Sequence, residues 1–253
     1  MHNDWLKIGG LTIHGYGVMI ALGILAAFVL AEKLAEKKDL DKDNIDNMIF
    51  FCLVLGYICA KLTYVIVTFD EFIKDPLSVL GSGGWVVYGG IIGGVFAGWL
   101  WCRKHNWDFM HYFNVLIPCV ALAQGFGRIG CFFAGCCYGM ETDLPIGLVF
   151  PPGSLAPAGV RLLPTQLMSS LFDFILFFIL YRNLMKGRHP EKTAALYLVI
   201  YSAGRFLIEF VRGDAARGFI GVLSTSQLIA LFTGALGIYL ITRNNKGDKE
   251  KTV

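Results

Sequence analysis

Apolar residues run along this chain in long stretches, separated by short polar connections. A helix that crosses a membrane needs about 20 predominantly apolar residues. Seven stretches meet that need: roughly Ile13 to Ala35, Met48 to Phe69, Trp85 to Cys102, Phe113 to Phe133, Thr165 to Tyr181, Ala194 to Val211 and Phe219 to Thr242. A few charges interrupt them: Lys61 in the second, Arg128 near the end of the fourth, Asp173 in the fifth, and Arg205 and Glu209 in the sixth. The pattern predicts an all-α integral membrane protein with about seven transmembrane helices.

Basic residues in the connections predict orientation, because cytoplasmic loops carry an excess of Lys and Arg. The first-second, third-fourth and fifth-sixth connections and the C-terminal tail hold 14 of them, Arg188 and Lys251 included. The N-terminus and the other connections hold 5, Arg217 among them. The N-terminus is therefore expected outside and the C-terminus in the cytoplasm. The connection from Ala134 to Pro164, about 30 residues, then falls on the outer side between the fourth and fifth helices. Loops of that length are usually functional or disordered. This one holds five prolines and an apolar Ile-Gly-Leu-Val-Phe run, so an irregular cap is expected rather than a linker. Residues 1–243 read as a single transmembrane domain with the cap at 134–164, and 244–253 as a polar tail that frays. No internal repeat or low-complexity tract is visible.

Composition agrees. The chain has 253 residues, 55% apolar and 16% charged, with a mean hydropathy of +0.59. That is more apolar and less charged than a soluble protein. The net charge of +3 is small, and no basic-aromatic interleaving points to nucleic acid. The first stretch lacks a basic leader and a small-residue cleavage site, so it does not read as a removable signal peptide. Of seven cysteines, Cys52, Cys59, Cys102 and Cys119 lie in apolar stretches and read as small buried hydrophobes.

The candidate chemistry centres on Gly125 to Gly139. There Arg128, the only charge, sits among Gly125, Gly127, Gly130, Gly135 and Gly139. An arginine at membrane depth is costly and usually faces a protein interior or a water-filled cavity. The glycines are expected to clear bulk around it and let backbone or a ligand head group approach. The expected topology puts His14, Tyr16, Tyr88, Arg128, Glu209 and Arg212 at one depth near the outer face. Arg205 lies about two turns deeper at 1.5 Å per residue. Arg205, Glu209 and Arg212 share a helix face by their spacing of four and three. This face is either a structural ion pair that locks helices or part of an anion site. Two arginines against one glutamate leave a positive charge over, and a guanidinium forks a phosphate well. Arg205 is expected to pair with Glu209, and Arg212 to lie nearer water and act on substrate. Asp173 and Lys61 either pair with each other or extend the polar network. Gly89, Gly90, Gly93, Gly94 and Gly98 suit close helix packing or a portal for lipid. Cys131, Cys136 and Cys137 lack the accompanying His or second cysteine pair of a zinc finger. They read as a disulfide with one left over, as packing residues, or as a thiol activated beside Arg128.

The motifs resemble those of the prolipoprotein diacylglyceryl transferase family across essentially the whole chain. Gly127-Arg128-Ile129-Gly130-Cys131-Phe132-Phe133-Ala134-Gly135-Cys136-Cys137-Tyr138-Gly139 is similar to the family's Gly-Arg-x-Gly-Asn-Phe-x-Asn-x-Glu-x-x-Gly. Ile13-His14-Gly15-Tyr16-Gly17 resembles its Ile-His-x-Tyr-Gly, and Pro164-Thr165-Gln166-Leu167 its Pro-Ser/Thr-Gln-Leu. Gly204 to Arg212 resembles its Gly-Arg-Phe-x-x-Glu-Phe-x-Arg. Cys131, Ala134 and Cys136 stand where the signature has Asn, Asn and Glu. Tyr88 stands where it has a His before Gly-Gly, and Leu163 and Met168 replace a His and a Tyr.

The resemblance implies a bacterial multi-pass enzyme of the cytoplasmic membrane. Its partners would be phosphatidylglycerol and the signal peptide of a lipoprotein precursor, with no cofactor or metal. The diacylglyceryl group would pass to the precursor's cysteine thiol, releasing glycerol phosphate. Arg128 and Arg212, with Tyr16, Tyr88 and Cys136, are the expected catalytic residues. His14, Cys131, Gly139, Arg205 and Glu209 are expected to bind substrate. Without the family His, the base falls to His14, Cys136 or Tyr88. Tyr88, with an ordinary pKa near 10, suits donation better. Two other readings remain: a paralogue that moves another lipid-linked group through a reactive cysteine, and a lipid-binding or translocating protein without catalysis.

Overall fold

The structure is a computed structural model that describes residues 3–9, 11–187, 189–214 and 218–250. Arg188, Arg217 and Lys251, counted above for orientation, lie outside the described residues. The elements run β1 (Asp4–Ile8), β2 (Leu11–His14), α1 (Gly15–Lys37), α2 (Lys42–Val67), α3 (Phe69–Lys74), α4 (Pro76–Gly81), α5 (Val87–Lys104) and α6 (Phe109–Ala134). They continue with β3 (Leu148–Val149), β4 (Arg161–Leu162), α7 (Thr165–Lys186), α8 (Thr193–Ile208), β5 (Phe219–Ile220), β6 (Leu223–Ser224) and α9 (Thr225–Glu250). Short 3-10 turns, Pro190–Lys192 and Glu209–Val211, flank α8.

Six helices among the described residues are long and apolar enough to cross a membrane: α1, α2, α6, α7, α8 with its flanking turns, and α9. Their flanks expose large apolar side chains that water would not tolerate in such numbers. Leu25 is 61% exposed, Phe178 66% and Phe232 76%. This is a multi-pass membrane protein. The expectation of about seven spans exceeds the six that qualify. The missing one is α5, which is long enough at 18 residues but is less apolar on average, because five of them are glycine and it ends in Arg103 and Lys104.

The all-α expectation also needs correction at its edges. Three two-stranded antiparallel hairpins pair β1 with β2, β3 with β4 and β5 with β6. Ile13 and His14 therefore belong to a strand, and α9 begins at Thr225 rather than near Phe219. Apolar content does not distinguish a short hairpin from the first turns of a helix. Gly221, at φ +64°, supplies the left-handed turn that Phe219 to Ser224 needs.

The chain divides into two compact units, one of residues 1–30 and 114–253 and the other of residues 31–113. In the smaller unit α2 packs on α5 through glycine. A Cβ on Gly89 would meet Thr63 Oγ1 at 2.1 Å, one on Gly93 the Cys59 Cβ at 2.4 Å, and one on Gly90 the Gly56 carbonyl at 3.3 Å. The glycines thus serve close backbone approach. Lys61 is satisfied locally. Its Nζ donates to the carbonyls of Ser82 at 2.8 Å and Gly84 at 3.3 Å, and lies 4.7 Å from the Trp85 ring centroid.

In the larger unit, polar side chains tie α8 to its neighbours. Asn114 Oδ1 accepts from the Ala194 amide at 2.8 Å. Tyr197 donates to Gln124 Oε1 at 2.9 Å, and Ser202 and Thr233 share a hydrogen bond of 2.7 Å. Ser170 donates to the Gly125 carbonyl at 2.8 Å and joins α7 to α6. Between α6 and α7, Phe150, Ala156 and Leu162 are buried together, with Phe132, Tyr138 and Val160 packed against them. The segment expected as a cap has a core of its own.

Candidate active site

Both predicted halves of the site are traceable in the larger unit, and both differ from expectation. The charged half is built on the end of α8. Arg205 Nη2 lies 3.0 Å from Glu209 Oε2 and donates to Ser226 Oγ at 2.9 Å. Arg212 Nη1 reaches the same Glu209 oxygen at 3.3 Å. The spacing of four and three brings all three together, as expected from the helix face.

Arg212 has a partner that the pattern did not reveal. Its Nε donates to Asp214 Oδ1 at 2.9 Å and its Nη2 to Asp214 Oδ2 at 2.5 Å. This is a bidentate fork. Arg212 is 8% exposed and Asp214 9%, so Arg212 is not the water-facing residue that the sequence suggested. The two arginines are matched by two carboxylates, and the surplus charge inferred for this face is gone. Asp214 lies beyond the helix, where no periodicity links it to Arg212.

The cation left over is Arg128. Among the described residues its guanidinium has no hydrogen-bond or ion-pair partner. It lines a cavity of about 360 Å³ between α6, α7 and α8 together with Arg205, Asp173, Tyr201 and Ser169. Apolar side chains, Phe172, Leu207 and Ile208 among them, form the rest of the wall. Asp173 is 2% exposed, and its Oδ2 has no hydrogen-bond partner among the described residues. Tyr201 was missed by the sequence reading, although it stands one turn before Arg205 on the same face. A cavity with apolar walls and an unpaired guanidinium suits an amphiphile whose anionic head meets Arg128 and Arg205.

The thiol half adjoins it. The Sγ atoms of Cys131, Cys136 and Cys137 all lie within 4.8 Å of one another, and all seven cysteines are free thiols. Cys131 is one turn after Arg128 on α6. Gly135 at φ +74° and Cys137 at φ +58° turn the chain back, so that the Cys136 amide donates to the Cys131 carbonyl at 3.2 Å. A left-handed φ is uncommon for a residue with a Cβ, and the start of α7 holds this one in place. Thr165 Oγ1 donates to the Cys137 carbonyl at 2.7 Å, and Gln166 Nε2 to that of Cys136 at 2.8 Å. The Pro-Thr-Gln-Leu motif is thus the brace of the thiol loop.

Thiol hydrogen bonds from Cys131 and Cys136 hold the Cys137 thiol below its usual range, with Arg212 and Arg128 adding to the effect. Hydrogen bonding with Cys131 and Cys137, and then burial, push Cys136 up. The surroundings of the cluster thus favour the thiolate form at Cys137 more than at Cys136, the residue that the sequence singled out. Tyr16 opens α1 and lies within electrostatic reach of all three thiols and of Arg128.

The glycines around Arg128 mostly serve packing. A Cβ on Gly125 would meet the Phe174 ring at 2.6 Å, and one on Gly130 the Tyr16 carbonyl at 3.1 Å. Only Gly127 of the helical three opens on free space. Gly139 pairs with Arg212 in a β-bridge and donates to the Leu163 carbonyl at 2.9 Å. A Cβ there would lie 2.7 Å from that carbonyl oxygen. Gly139→Ala is expected to cost about 1–3 kcal/mol by overpacking, read as a lowered unfolding temperature in detergent. An unchanged temperature would show that the bridge is not tight.

His14 Nδ1 lies 2.8 Å from Asp4 Oδ1 in an exposed pair and does not line the cavity. Tyr88 opens α5 in the smaller unit and is 37% exposed.

Comparison with known proteins identifies the family. The family model described as prolipoprotein diacylglyceryl transferase matches residues 4–243. A protein of Clostridium tetani named phosphatidylglycerol–prolipoprotein diacylglyceryl transferase is 48% identical over 92% of this chain and 94% of its own length. One of Clostridium perfringens, named as the second such transferase, is 44% identical over 96% of each chain. A Gloeobacter violaceus relative of the same name is 31% identical over 95% of this chain and 93% of its own. With the match extending from the N-terminal hairpin into the last membrane helix, the chain belongs to the prolipoprotein diacylglyceryl transferase family.

Proposed function

We propose that this chain is a phosphatidylglycerol–prolipoprotein diacylglyceryl transferase whose phosphate seat is the cavity between Arg128 and Arg205. The observation that carries this reading is the unpaired Arg128 guanidinium in a cavity that also holds Arg205, Asp173 and Tyr201 and is otherwise walled by apolar side chains. The relatives' names supply the reaction, and the cavity suits its donor: acyl chains along the apolar wall, phosphate on the arginines.

The acceptor thiolate attacks the glyceryl carbon that bears the phosphate. The carbon–oxygen bond breaks, its electron pair stays on the phosphate oxygen, and glycerol phosphate leaves. A phosphodiester monoanion thereby becomes a monoester dianion. Fixed positive charge at that oxygen stabilises the transition state more than the ground state. Arg128 and Arg205 are within the cavity for this purpose, while Arg212 fixes Glu209 and the Gly139 bridge beside it. Tyr16 and Gly139 border the thiols, and Cys131 and Cys136 help to position the acceptor.

The proposal extends to the whole of residues 1–243 as one transferase domain in the bacterial cytoplasmic membrane. Helix α5 would make the seventh crossing, with the N-terminus and the 134–164 cap outside and the 244–253 tail in the cytoplasm. The acceptor is a lipoprotein-precursor signal peptide. The test is transfer of labelled phosphatidylglycerol to a lipobox-cysteine peptide by detergent-purified protein. Transfer by the unmodified chain is expected. Tyr88→His, which installs the residue that the family resemblance puts at this position, is expected to raise it. If neither protein transfers label to a peptide that another family member accepts, the reading is wrong. Label that ends on Cys131, Cys136 or Cys137 instead would favour the paralogue reading.

A further inference from the structure

Three thiols converge beside a site whose reaction alkylates a thiol. The family resemblance puts Asn, Glu and His where this chain has Cys131, Cys136 and Tyr88. Of the polar groups that could manage the acceptor's proton, two are therefore replaced by thiols and one by a phenol. As packing residues the three have no reason to point at one another. Adjacent Cys136 and Cys137 make an awkward disulfide, so oxidation would have to join one of them to Cys131.

We propose that Cys131, Cys136 and Cys137 form a three-thiolate site for zinc, and that the open fourth position takes the acceptor cysteine's thiol. The proposal rests on the transferase reading for its acceptor, but not for the metal site. Soft thiolate ligands select zinc, copper(I) and iron–sulfur clusters. Three protein ligands plus one open position is the arrangement of catalytic zinc.

The geometry is close to what the ion requires. Zinc–sulfur bonds of about 2.3 Å place tetrahedral sulfurs about 3.8 Å apart, and these sulfurs already lie within 4.8 Å of one another. The thiols are half-buried, which leaves a side open for a peptide. Their backbone is held independently of any ion by Thr165 and Gln166. Three thiolates and the acceptor thiolate around a divalent ion carry two negative charges in excess, and the unpaired Arg128 lies within electrostatic reach of Cys137 to offset part of that charge.

The step needs no protein base. A thiol that coordinates zinc is deprotonated outright, and its proton passes to solvent water. The acceptor sulfur's lone pair then forms the bond to the glyceryl carbon while the carbon–oxygen bond breaks toward the phosphate. The product sulfur is a neutral thioether, a weak ligand, and leaves the ion. Zinc keeps its oxidation state throughout. This placement puts the nucleophile one helical turn from Arg128, which holds the leaving group.

The full chain, purified in detergent and loaded with zinc or cobalt(II), tests the proposal. Zinc analysis is expected to show stoichiometric metal. Cys136→Ser and Cys137→Ser should each weaken it by about 10–100-fold or more, the range seen even for outer-shell changes. The cobalt form of the unmodified chain is expected to show tetrahedral thiolate absorption. That absorption should shift on adding a lipobox-cysteine peptide and stay unchanged with the serine version of the peptide. The spectral shift needs no variant, so misfolding of a serine mutant does not obscure it. Absence of metal binding overturns the proposal, and so does a cobalt spectrum indifferent to the cysteine peptide. Transfer from phosphatidylglycerol that persists in metal-free protein also overturns it, while leaving the transferase reading intact. A peptide-dependent shift without any transfer supports the metal site and counts against that reading instead.

Discussion

Arg128→Ala is expected to abolish measurable diacylglyceryl transfer while the protein still inserts and folds. The loss should be about 10²–10³-fold, the usual cost of removing one group that stabilises developing negative charge. Stability should move the other way or not at all. Arg128 makes no ion pair or hydrogen bond among the described residues, and Asp173, the carboxylate that shares its cavity, keeps Arg205 there, so removing Arg128 breaks no direct pair and relieves a desolvated cation. Arg128→Lys should recover part of the activity, because a point charge lacks the planar fork. Labelled phosphatidylglycerol transfer and thermal unfolding in detergent, run on the same preparations, separate the two effects. Wild-type turnover in Arg128→Ala would place the phosphate elsewhere.

Arg212→Ala should instead be the most destabilising of the arginine replacements. It removes both bonds to Asp214 and one of the two cations at Glu209. Breaking such a buried pair typically costs about 3–5 kcal/mol. Arg205→Ala should be milder, since Glu209 keeps Arg212 at 3.3 Å. This order reverses the one that depth along the helix suggested. The double change Arg212→Ala with Asp214→Asn should recover part of the loss, because the stranded charge is then gone. Unfolding temperatures of the four proteins decide the matter. A larger drop for Arg205→Ala than for Arg212→Ala would mean that the Asp214 fork carries little.

The pairing at Arg212 shows where reading along the chain succeeds and where it stops. Arg205, Glu209 and Arg212 were grouped correctly because helical spacing is local: residues three and four apart share a face whatever surrounds them. Asp214 follows Arg212 by only two positions, yet it lies past the helix end. There the backbone direction depends on Met140 and Gly139 bonding to Val211 and pairing with Arg212. The same limit explains the hairpin at Phe219 to Ser224, whose apolar residues look like the start of α9 until the turn at Gly221 is seen.

By itself the sequence determined that this is a membrane protein, where six of its crossing helices lie, and that Arg128 is its most unusual charge. Each of these depends on the run length and local spacing of apolar and charged residues, which a single helix already expresses. The tertiary structure alone decided which charges neutralise one another, that Lys61 is held by the Ser82 and Gly84 carbonyls, and that Cys131, Cys136 and Cys137 bring their thiols together. It also decided that Thr165 and Gln166 brace the thiol loop from 28 and 30 positions further along. Those contacts join segments far apart in the chain, so their partners are chosen by packing and by the need to satisfy buried polar groups, neither of which a linear pattern contains.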